Sequence, residues 1–208
     1  MPVATERRTQ AERRASTRKA LLDAATACLI EDGYAGFSTT EIVKRAGLSQ
    51  GALFKHFPTK DELLAATAEH LYDEMIYRYV RRFRRLERKD EAARIDGAIR
   101  LLWQMFESPE MGAALELAVA ARTDAELASR LEPIVARHAQ RVRDVAADLF
   151  PHATDGPGYD LTIDLVLELM LGMSVSRLVD HSTAHFRRLL DHINSLAHAA
   201  LASSNGPS

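Results

Sequence analysis

The sequence predicts an all-α protein in which a small helix-turn-helix unit precedes a larger helical region. Apolar residues recur every three to four positions along most of the chain, which is the spacing of one helix face. Residues 39–57 contain two short helical segments that meet at a glycine. After Lys60, no stretch shows the alternation of apolar and polar residues that is typical of half-buried strands.

The first predicted helix covers residues 16–32, and glycines at positions 33 and 36 follow it. The only cysteine of the chain, Cys28, lies on its apolar face, where we expect a small core residue. A single cysteine excludes an intrachain disulfide framework. The apolar residues of this face are Leu21, Leu22, Ala25, Cys28 and Leu29.

Residues 38–57 contain the signals of two short helices. Ser38 and Glu41 have the spacing of a capping box, which would start the first of them. Gly47 supplies the left-handed residue that commonly follows a helix end, and Ser49 can cap the second helix.

The second short helix has residue types that suit the major groove of DNA. Leu53 and Phe57 lie four positions apart and would pack inward together, which leaves the other side chains facing outward. A glutamine can form two hydrogen bonds with an adenine edge, and an alanine can touch a thymine methyl group. Free N–H groups at a helix start favour a phosphate. The expected base contacts are Gln50, Gly51, Ala52, Phe54 and Lys55, and the expected phosphate contacts are Thr39, Thr40, Ser49, His56 and Lys60. The alternative is a plain helical hairpin with a solvated polar face.

These residues resemble the TetR family of transcriptional regulators. The resemblance covers about the first third of the chain and rests on Gly33-Tyr34, Phe37-Ser38-Thr39-Thr40, Ile42, Ala46-Gly47-Leu48-Ser49 and the run 51–64. It implies an N-terminal three-helix DNA-binding domain and a C-terminal helical ligand-binding and dimerisation domain. It also implies a homodimer that binds a palindromic operator in double-stranded DNA, usually as a repressor, and that responds to a small apolar or amphipathic effector.

Two residues of the motif bear on phosphate contacts. The family often has a tyrosine where Phe54 stands, and without a hydroxyl group Phe54 cannot donate to a phosphate. We expect it to pack on the sugar-phosphate wall instead. Lys60 matches a family lysine that reaches a phosphate.

Composition narrows the function classes. The chain has 208 residues, of which 47% are hydrophobic, and a formal net charge of −2, so it is not a globally basic nucleic-acid binder. The first sixty residues contain ten basic and six acidic residues, a net charge of +4, which leaves −6 for the remainder. This asymmetry favours a DNA-facing head on an acidic body. With no long apolar run and no hydrophobic signal core, we expect a cytoplasmic protein that contacts no membrane.

We expect four segments along the chain. Residues 1–15 contain two arginine pairs and few apolar side chains, so they form a flexible basic arm that is either disordered or ordered by DNA. Residues 16–62 form the DNA-binding domain, with the helix-turn-helix at 39–57. Residues 63–203 form the regulatory and dimerisation domain, and residues 204–208 a disordered tail.

Helix-start signals divide the second region. A capping box at Thr59 and Glu62 opens one helix, and another at Thr123 and Glu126 opens a later one. The predicted helices are Thr59 to about Arg88, Ile95 to Phe106, Pro109 to about Arg122, Thr123 to about Phe150, Leu161 to Val179, and Phe186 to Leu201.

The last two helices are predicted to form a four-helix interface between two chains. The first of them is apolar nearly all round, so it must be buried on more than one side. The second carries one continuous apolar stripe. The alternative is a purely internal core. The expected interface residues are Leu165, Leu169, Gly172, Ser176, Phe186, Leu189, Leu190, Ile193, Leu196 and Ala197.

The resemblance further implies an effector cavity among the helices of the second region. Large or flexible apolar residues are candidates for its lining, although the same residues could simply fill the core. The candidates are Tyr72, Met75, Tyr79, Trp103, Phe106, Met111, Met170 and Met173.

A helical-bundle enzyme or metal protein is the alternative from another class. His181 and His185 have a spacing that binds a metal within one helix, but Ser182-Thr183 indicates a break between two helices. We find no phosphate loop, nucleophile elbow or paired catalytic carboxylates, so we expect no enzyme, cofactor or metal.

Overall fold

The computed structural model describes residues 9–86, 89–154, 158–180 and 182–201. Helices make up nearly all of these ranges and no strand occurs within them, which confirms the all-α prediction. Short 3-10 turns lie at Arg84–Leu86 and Pro151–Ala153. In chain order the helices are α1 (Gln10–Gly36), α2 (Thr39–Ala46), α3 (Gln50–His56), α4 (Lys60–Phe83), α5 (Glu91–Phe106), α6 (Pro109–Ala121), α7 (Ala125–Leu149), α8 (Tyr159–Ser176) and α9 (Thr183–Leu201).

The described residues form two compact units. The first contains the residues up to Tyr72 together with Gly112–Ile134, and the second contains Asp73–Met111 and the described residues from Val135 onward. The predicted domain boundary between residues 62 and 63 separates the DNA-binding part from the rest. The two compact units do not test which part binds DNA, so this boundary stays a prediction.

Helix α1 begins at Gln10 rather than at the predicted residue 16. Thr9 accepts a hydrogen bond from the backbone N–H of Glu12 at 3.2 Å, and the Glu12 carboxylate accepts one from the N–H of Thr9 at 2.7 Å. This capping box makes residues 10–15 of the expected flexible arm helical, while residues 1–8 lie outside the described part of the chain. The five predicted core residues of α1 are all buried, as expected.

The turn between α2 and α3 has the predicted geometry, but the start of α2 does not. Gly47 adopts φ 65° and ψ 33°, so it is the expected left-handed residue after a helix. The capping box predicted at Ser38 is wrong, because the Ser38 side chain makes no capping bond. Glu41 faces the other way, with its carboxylate 3.1 Å from Nε of Arg45 and 3.6 Å from Nζ of Lys44.

Other helix ends differ slightly from the predictions. Helix α4 ends at Phe83, and residue 88 lies outside the described ranges. Helix α5 begins at Glu91, because Asp90 accepts a hydrogen bond from the N–H of Ala93 at 2.8 Å. The cap of α7 is Asp124 and not Thr123, since the Asp124 carboxylate accepts from the N–H of Leu127 at 3.0 Å.

The second unit has its core around α5, α8 and α9. The Trp103 and Phe186 rings stack with centroids 6.2 Å apart. The hydroxyl of Ser174, which is buried, donates to the backbone carbonyl of Phe106 at 2.8 Å, which satisfies a polar group inside this core. On α9, His198 contacts the carboxylate of Asp96 at 2.7 Å. None of the helices in the described part combines the length and the apolar character that a membrane span requires.

Candidate nucleic-acid interface

Helix α3 is anchored on one side and open on the other. Leu53 is completely buried and Phe57 is 3% exposed. The hydroxyl of Ser49 accepts a hydrogen bond from the N–H of Ala52 at 3.2 Å, as predicted for a helix cap. These contacts fix α3 in the first unit, and its remaining side chains face away from the core.

Gln50 is held by its neighbour on α2. Its amide nitrogen Nε2 donates to Oγ1 of Thr40 at 3.3 Å. Its carbonyl oxygen is shielded from solvent and has no hydrogen-bond partner among the described residues. Because an amide nitrogen carries two hydrogens, one N–H remains unused by Thr40, whereas the shielded carbonyl oxygen must turn outward before a base edge can reach it.

The other candidate base contacts lie on the open face. Gly51 and Lys55 are exposed, Ala52 is half-buried, and the Phe54 ring is 46% exposed. A Cβ atom at Gly51 would lie 3.9 Å from Oγ of Ser49 and would meet nothing closer. The protein's own packing therefore does not require glycine at this position.

A basic cluster surrounds His56 at the end of α3. Burial lowers the pKa of His56, and the positive charges of Arg14, Arg18 and Lys55 lower it further. The guanidinium of Arg18 lies 5.1 Å from the centroid of the Phe57 ring. Cations from α1 and α3 thus occur together beside the recognition helix, where a phosphate would neutralise them.

Sequence reasoning did not find Arg18, and it assigned Arg14 to a flexible arm. The missed signal is their spacing of four, which places both on one face of α1 once the helix begins at Gln10. The capping pair of Thr9 and Glu12 would have revealed that start.

The remaining candidate phosphate contacts lie at helix starts. Thr39 and Thr40 occupy the first turn of α2, where Thr39 is half-buried and Thr40 exposed. Lys60 is the first residue of α4, and its ammonium lies 5.9 Å from the centroid of the Phe37 ring. Thr59 accepts from the N–H of Glu62 at 3.1 Å, so the hydroxyl half of the predicted capping box is present.

Arg45 serves the structure of this unit. Its guanidinium lies 2.7 Å from the carboxylates of Glu31 and Asp32 on α1. Its Nε also donates to Glu41 at 3.1 Å. With three carboxylate partners, Arg45 has few N–H donors left for a DNA phosphate. The two partners on α1 hold α2 against that helix.

Two cavities lie in the second unit. The first, of about 90 Å³, is lined almost entirely by apolar side chains of α4, α5, α7, α8 and α9. The second, of about 310 Å³, has a polar lining that includes Arg78, Arg82 and Glu110. Tyr79 and Met105 line both cavities.

Most of the candidate pocket residues lie elsewhere. Tyr79 lines both cavities and Met75 lines the second one. Tyr72 is half-buried and lines neither. The other candidates are buried without lining either cavity: Trp103, Phe106, Met111, Met170 and Met173.

The candidate interface residues of α8 and α9 fall into two groups. Phe186, Ile193 and Ala197 are buried within the chain itself, and Leu190 is half-buried. The others are exposed: Leu165, Leu169, Gly172, Ser176, Leu189 and Leu196. Further exposed apolar residues lie on or just after α8: Leu161, Val175, Leu178 and Val179.

The histidine pair of the alternative hypothesis is divided. His185 lies on α9, His181 lies outside the described residues, and α8 ends at Ser176. Within the described ranges, no three His, Cys, Asp or Glu side chains are close enough together to hold a metal ion.

A helix-turn-helix with a packed inner side and an open, partly basic recognition helix defines a DNA-binding protein of the helix-turn-helix class. Comparison with known proteins agrees. Residues 21–67 match the model of the family described as bacterial regulatory proteins, tetR family.

Relatives whose similarity extends beyond the helix-turn-helix give the same result. The HTH-type transcriptional regulator CymR of Pseudomonas putida is 38% identical over 142 residues, which are 67% of this chain and 68% of CymR. The HTH-type transcriptional repressor AcnR of Corynebacterium efficiens is 28% identical over 190 residues, 85% of this chain and 89% of AcnR. A crystal structure of a transcriptional regulator from Rhodococcus sp. Rha1 has a TM-score of 0.63 and 25% identity, over 91% of this chain and 99% of that one. The chain belongs to the TetR family, which confirms the resemblance, and it is a DNA-binding transcriptional regulator.

Proposed function

We propose that this regulator is a repressor that binds a palindromic operator as a homodimer and is released by a small apolar or amphipathic ligand. The observation that carries the proposal is the open face of α3, which carries an amide with one unused N–H and an unpaired carbonyl oxygen beside a cluster of cations. The related protein AcnR is a transcriptional repressor, which supports the proposed direction of regulation.

The proposed contacts divide by chemistry. Side chains on the open face of α3 read base edges, and residues at helix starts together with the basic cluster bind phosphates. The base contacts are Gln50, Gly51, Ala52, Phe54 and Lys55, and the phosphate contacts are Thr39, Thr40, Ser49, His56 and Lys60, to which we add Arg14 and Arg18. The proposed DNA-binding domain is residues 16–62, extended at its N-terminal side by residues 10–15 of α1.

Exposed leucines on α8 and α9 support the homodimer. Leu161, Leu165 and Leu169 follow one another at spacings of four, so they form one stripe on α8. Gly172 continues this stripe, and a Cβ atom there would meet nothing within 4 Å, so a partner helix can approach closely. Leu189 and Leu196, seven positions apart, form a second stripe on α9. Exposed apolar patches of this kind mark association surfaces in soluble proteins.

Dimerisation also follows from the size of the recognition element. Helix α3 has only seven residues and can contact few base pairs. A two-fold dimer presents two copies to half-sites about one or more helical turns apart. The ligand then acts by population shift, because it favours a conformer whose two recognition helices are wrongly spaced for the operator. We propose no catalytic role for the chain. We also propose that it acts in the cytoplasm, where it would meet its operator.

Selection of bound fragments from a random duplex library tests the proposal. The full-length protein should enrich an inverted repeat, and light scattering of the eluted protein should give the mass of two chains. Enrichment of an asymmetric site, or a monomeric protein, would contradict the homodimer. No enrichment at low salt would contradict the proposed reading of α3.

A further inference from the structure

The two cavities of the second unit differ sharply in chemistry. The smaller one has only two polar side chains in its lining, Tyr79 and Thr162. The Tyr79 hydroxyl already lies 3.5 Å from the backbone carbonyl of Ala98, and burial raises the pKa of Tyr79, so the tyrosine stays neutral. An ionised group placed in this cavity would lose its hydration without gaining a partner, which is strongly unfavourable.

The smaller cavity has room for a short apolar group only. Its volume of about 90 Å³ is below the roughly 150 Å³ of an apolar cavity that takes a benzene molecule. Tyr79 and Met105 are common to both linings, so the second cavity, of about 310 Å³, is the neighbouring space that the rest of a longer ligand would occupy.

The second cavity is basic. Arg78 is held by the carboxylate of Glu110 at 2.6 Å and by the backbone carbonyl of Glu74 at 3.3 Å. The Arg78 guanidinium, together with backbone and hydroxyl donors, holds the pKa of Glu110 below its usual value, against the burial that would raise it. Arg82 lines the same cavity, is exposed, and makes no ion pair with a described residue. Two guanidinium groups face one carboxylate, so the cavity has an uncompensated positive charge.

We propose that the effector is an amphipathic carboxylate whose alkyl end fills the apolar cavity and whose carboxylate binds Arg82 and Arg78. Guanidinium groups bind carboxylates through two parallel hydrogen bonds, and the free Arg82 offers such a fork. The carboxylate also competes with Glu110 for Arg78. This inference deepens the proposed ligand response and depends on that proposal.

Calorimetric titration of the full-length protein with matched probes tests the head group. Hexanoate and octanoate are compared with 1-hexanol and 1-octanol, which have the same number of carbon atoms but no charge. We expect the carboxylates to bind about tenfold more tightly than the alcohols, since a hydrogen bond to a charged group contributes more than a neutral one. Equal binding by acids and alcohols, or tighter binding of the alcohols, would overturn the proposal.

Arginine variants locate the head group. Arg82→Met keeps an aliphatic chain and removes the charge, and should weaken octanoate binding about tenfold while leaving 1-octanol unchanged. Glu110→Gln removes the competitor and should strengthen octanoate binding about threefold, as expected for a partly exposed ion pair. Arg81→Met is the matched control: Arg81 lies on the same helix, 5.8 Å from the Tyr77 ring, lines neither cavity, and should behave like wild type. If Arg82→Met and Arg81→Met have the same effect, the head group does not lie at Arg82.

A parallel measurement separates this inference from the regulator proposal. Release of a selected operator by octanoate is followed by fluorescence anisotropy. Octanoate that binds with the expected arginine dependence but does not release DNA supports the head-group assignment and contradicts ligand-controlled repression. Release that is insensitive to Arg82→Met contradicts the head-group assignment alone.

Discussion

Replacing Gln50 with alanine should abolish discrimination at one base-pair position of each half-site. In the free protein the amide of Gln50 gives one hydrogen to Thr40 at 3.3 Å, and its shielded carbonyl oxygen has no partner among the described residues. An adenine edge would supply both a donor for that oxygen and an acceptor for the second hydrogen. To make this bidentate contact, the side chain must turn its shielded carbonyl oxygen outward, and the unpaired state of that oxygen favours the turn.

The magnitude follows from that geometry. A bidentate base contact contributes about 1–3 kcal/mol of discrimination, which is roughly 5- to 150-fold in the ratio of Kd values for the right and wrong base. Fluorescence anisotropy with the selected operator and its three single-position variants measures this ratio. In the Gln50→Ala variant the ratio should fall toward one, while binding of unrelated DNA remains the same.

Two further variants control for the interpretation. Lys60→Ala should weaken every duplex alike and lower the salt dependence by about one phosphate contact. Thr40→Val removes the hydroxyl that positions the amide, so it should reduce the discrimination at the Gln50 position without abolishing it. If Gln50→Ala instead weakens all sequences equally, Gln50 is not a base contact. If Lys60→Ala changes base preference, the proposed division of roles is wrong.

Three other outcomes are expected. His56 has a lowered pKa in the free protein, and a nearby phosphate would favour its charged form. The affinity for DNA should therefore rise as the pH falls from about 7.5 to 6. An unchanged pH profile in the His56→Gln variant would exclude His56 as the titrating group. Gly33 has φ 70° and ψ −178°, a region that only glycine adopts readily, and Gly33→Ala should lower the free energy of unfolding by about 1–3 kcal/mol in calorimetry. Gly112→Ala, at an open site within α6, is its control and should be neutral or stabilising by up to about 1 kcal/mol; equal stability of the two variants would contradict strain at Gly33. Leu165→Glu, on the exposed stripe of α8, should give a monomer by light scattering, and a dimer of unchanged affinity would refute the proposed interface.

Local signals in the sequence predicted the recognition unit because that unit depends on local interactions. Gly47 requires a left-handed backbone and Ser49 caps its own helix, so residues two or three apart determine both features. The prediction at Ser38 was wrong because Glu41 had a stronger option in Arg45, whose other partners lie on α1. Such competition between a local and a tertiary partner cannot be seen in the spacing alone.

The cavities were harder to predict from the sequence, because a large apolar residue can fill the core and need not line a cavity. Large apolar side chains such as Trp103 and Met170 fill the core and lie away from both cavities. The lining of the apolar cavity mixes small residues such as Ala98 with large ones such as Tyr79 and Met105. Sequence periodicity identifies which residues face inward, but whether they fill the interior depends on packing between helices.

Helices α8 and α9 carry two kinds of apolar residue, some buried in the chain's own core and others exposed, and the sequence did not distinguish them. Phe186 and Ile193 lie seven positions apart on α9 and are buried in the chain's own core. Leu189 and Leu196, also seven apart, remain exposed on the same helix. A helix with one apolar stripe toward its own core and a second toward solvent leaves the second uncovered in a monomer, which costs solubility. We therefore propose that the partner chain covers the exposed stripe, and that the buried stripe connects this interface to the helices around the two cavities.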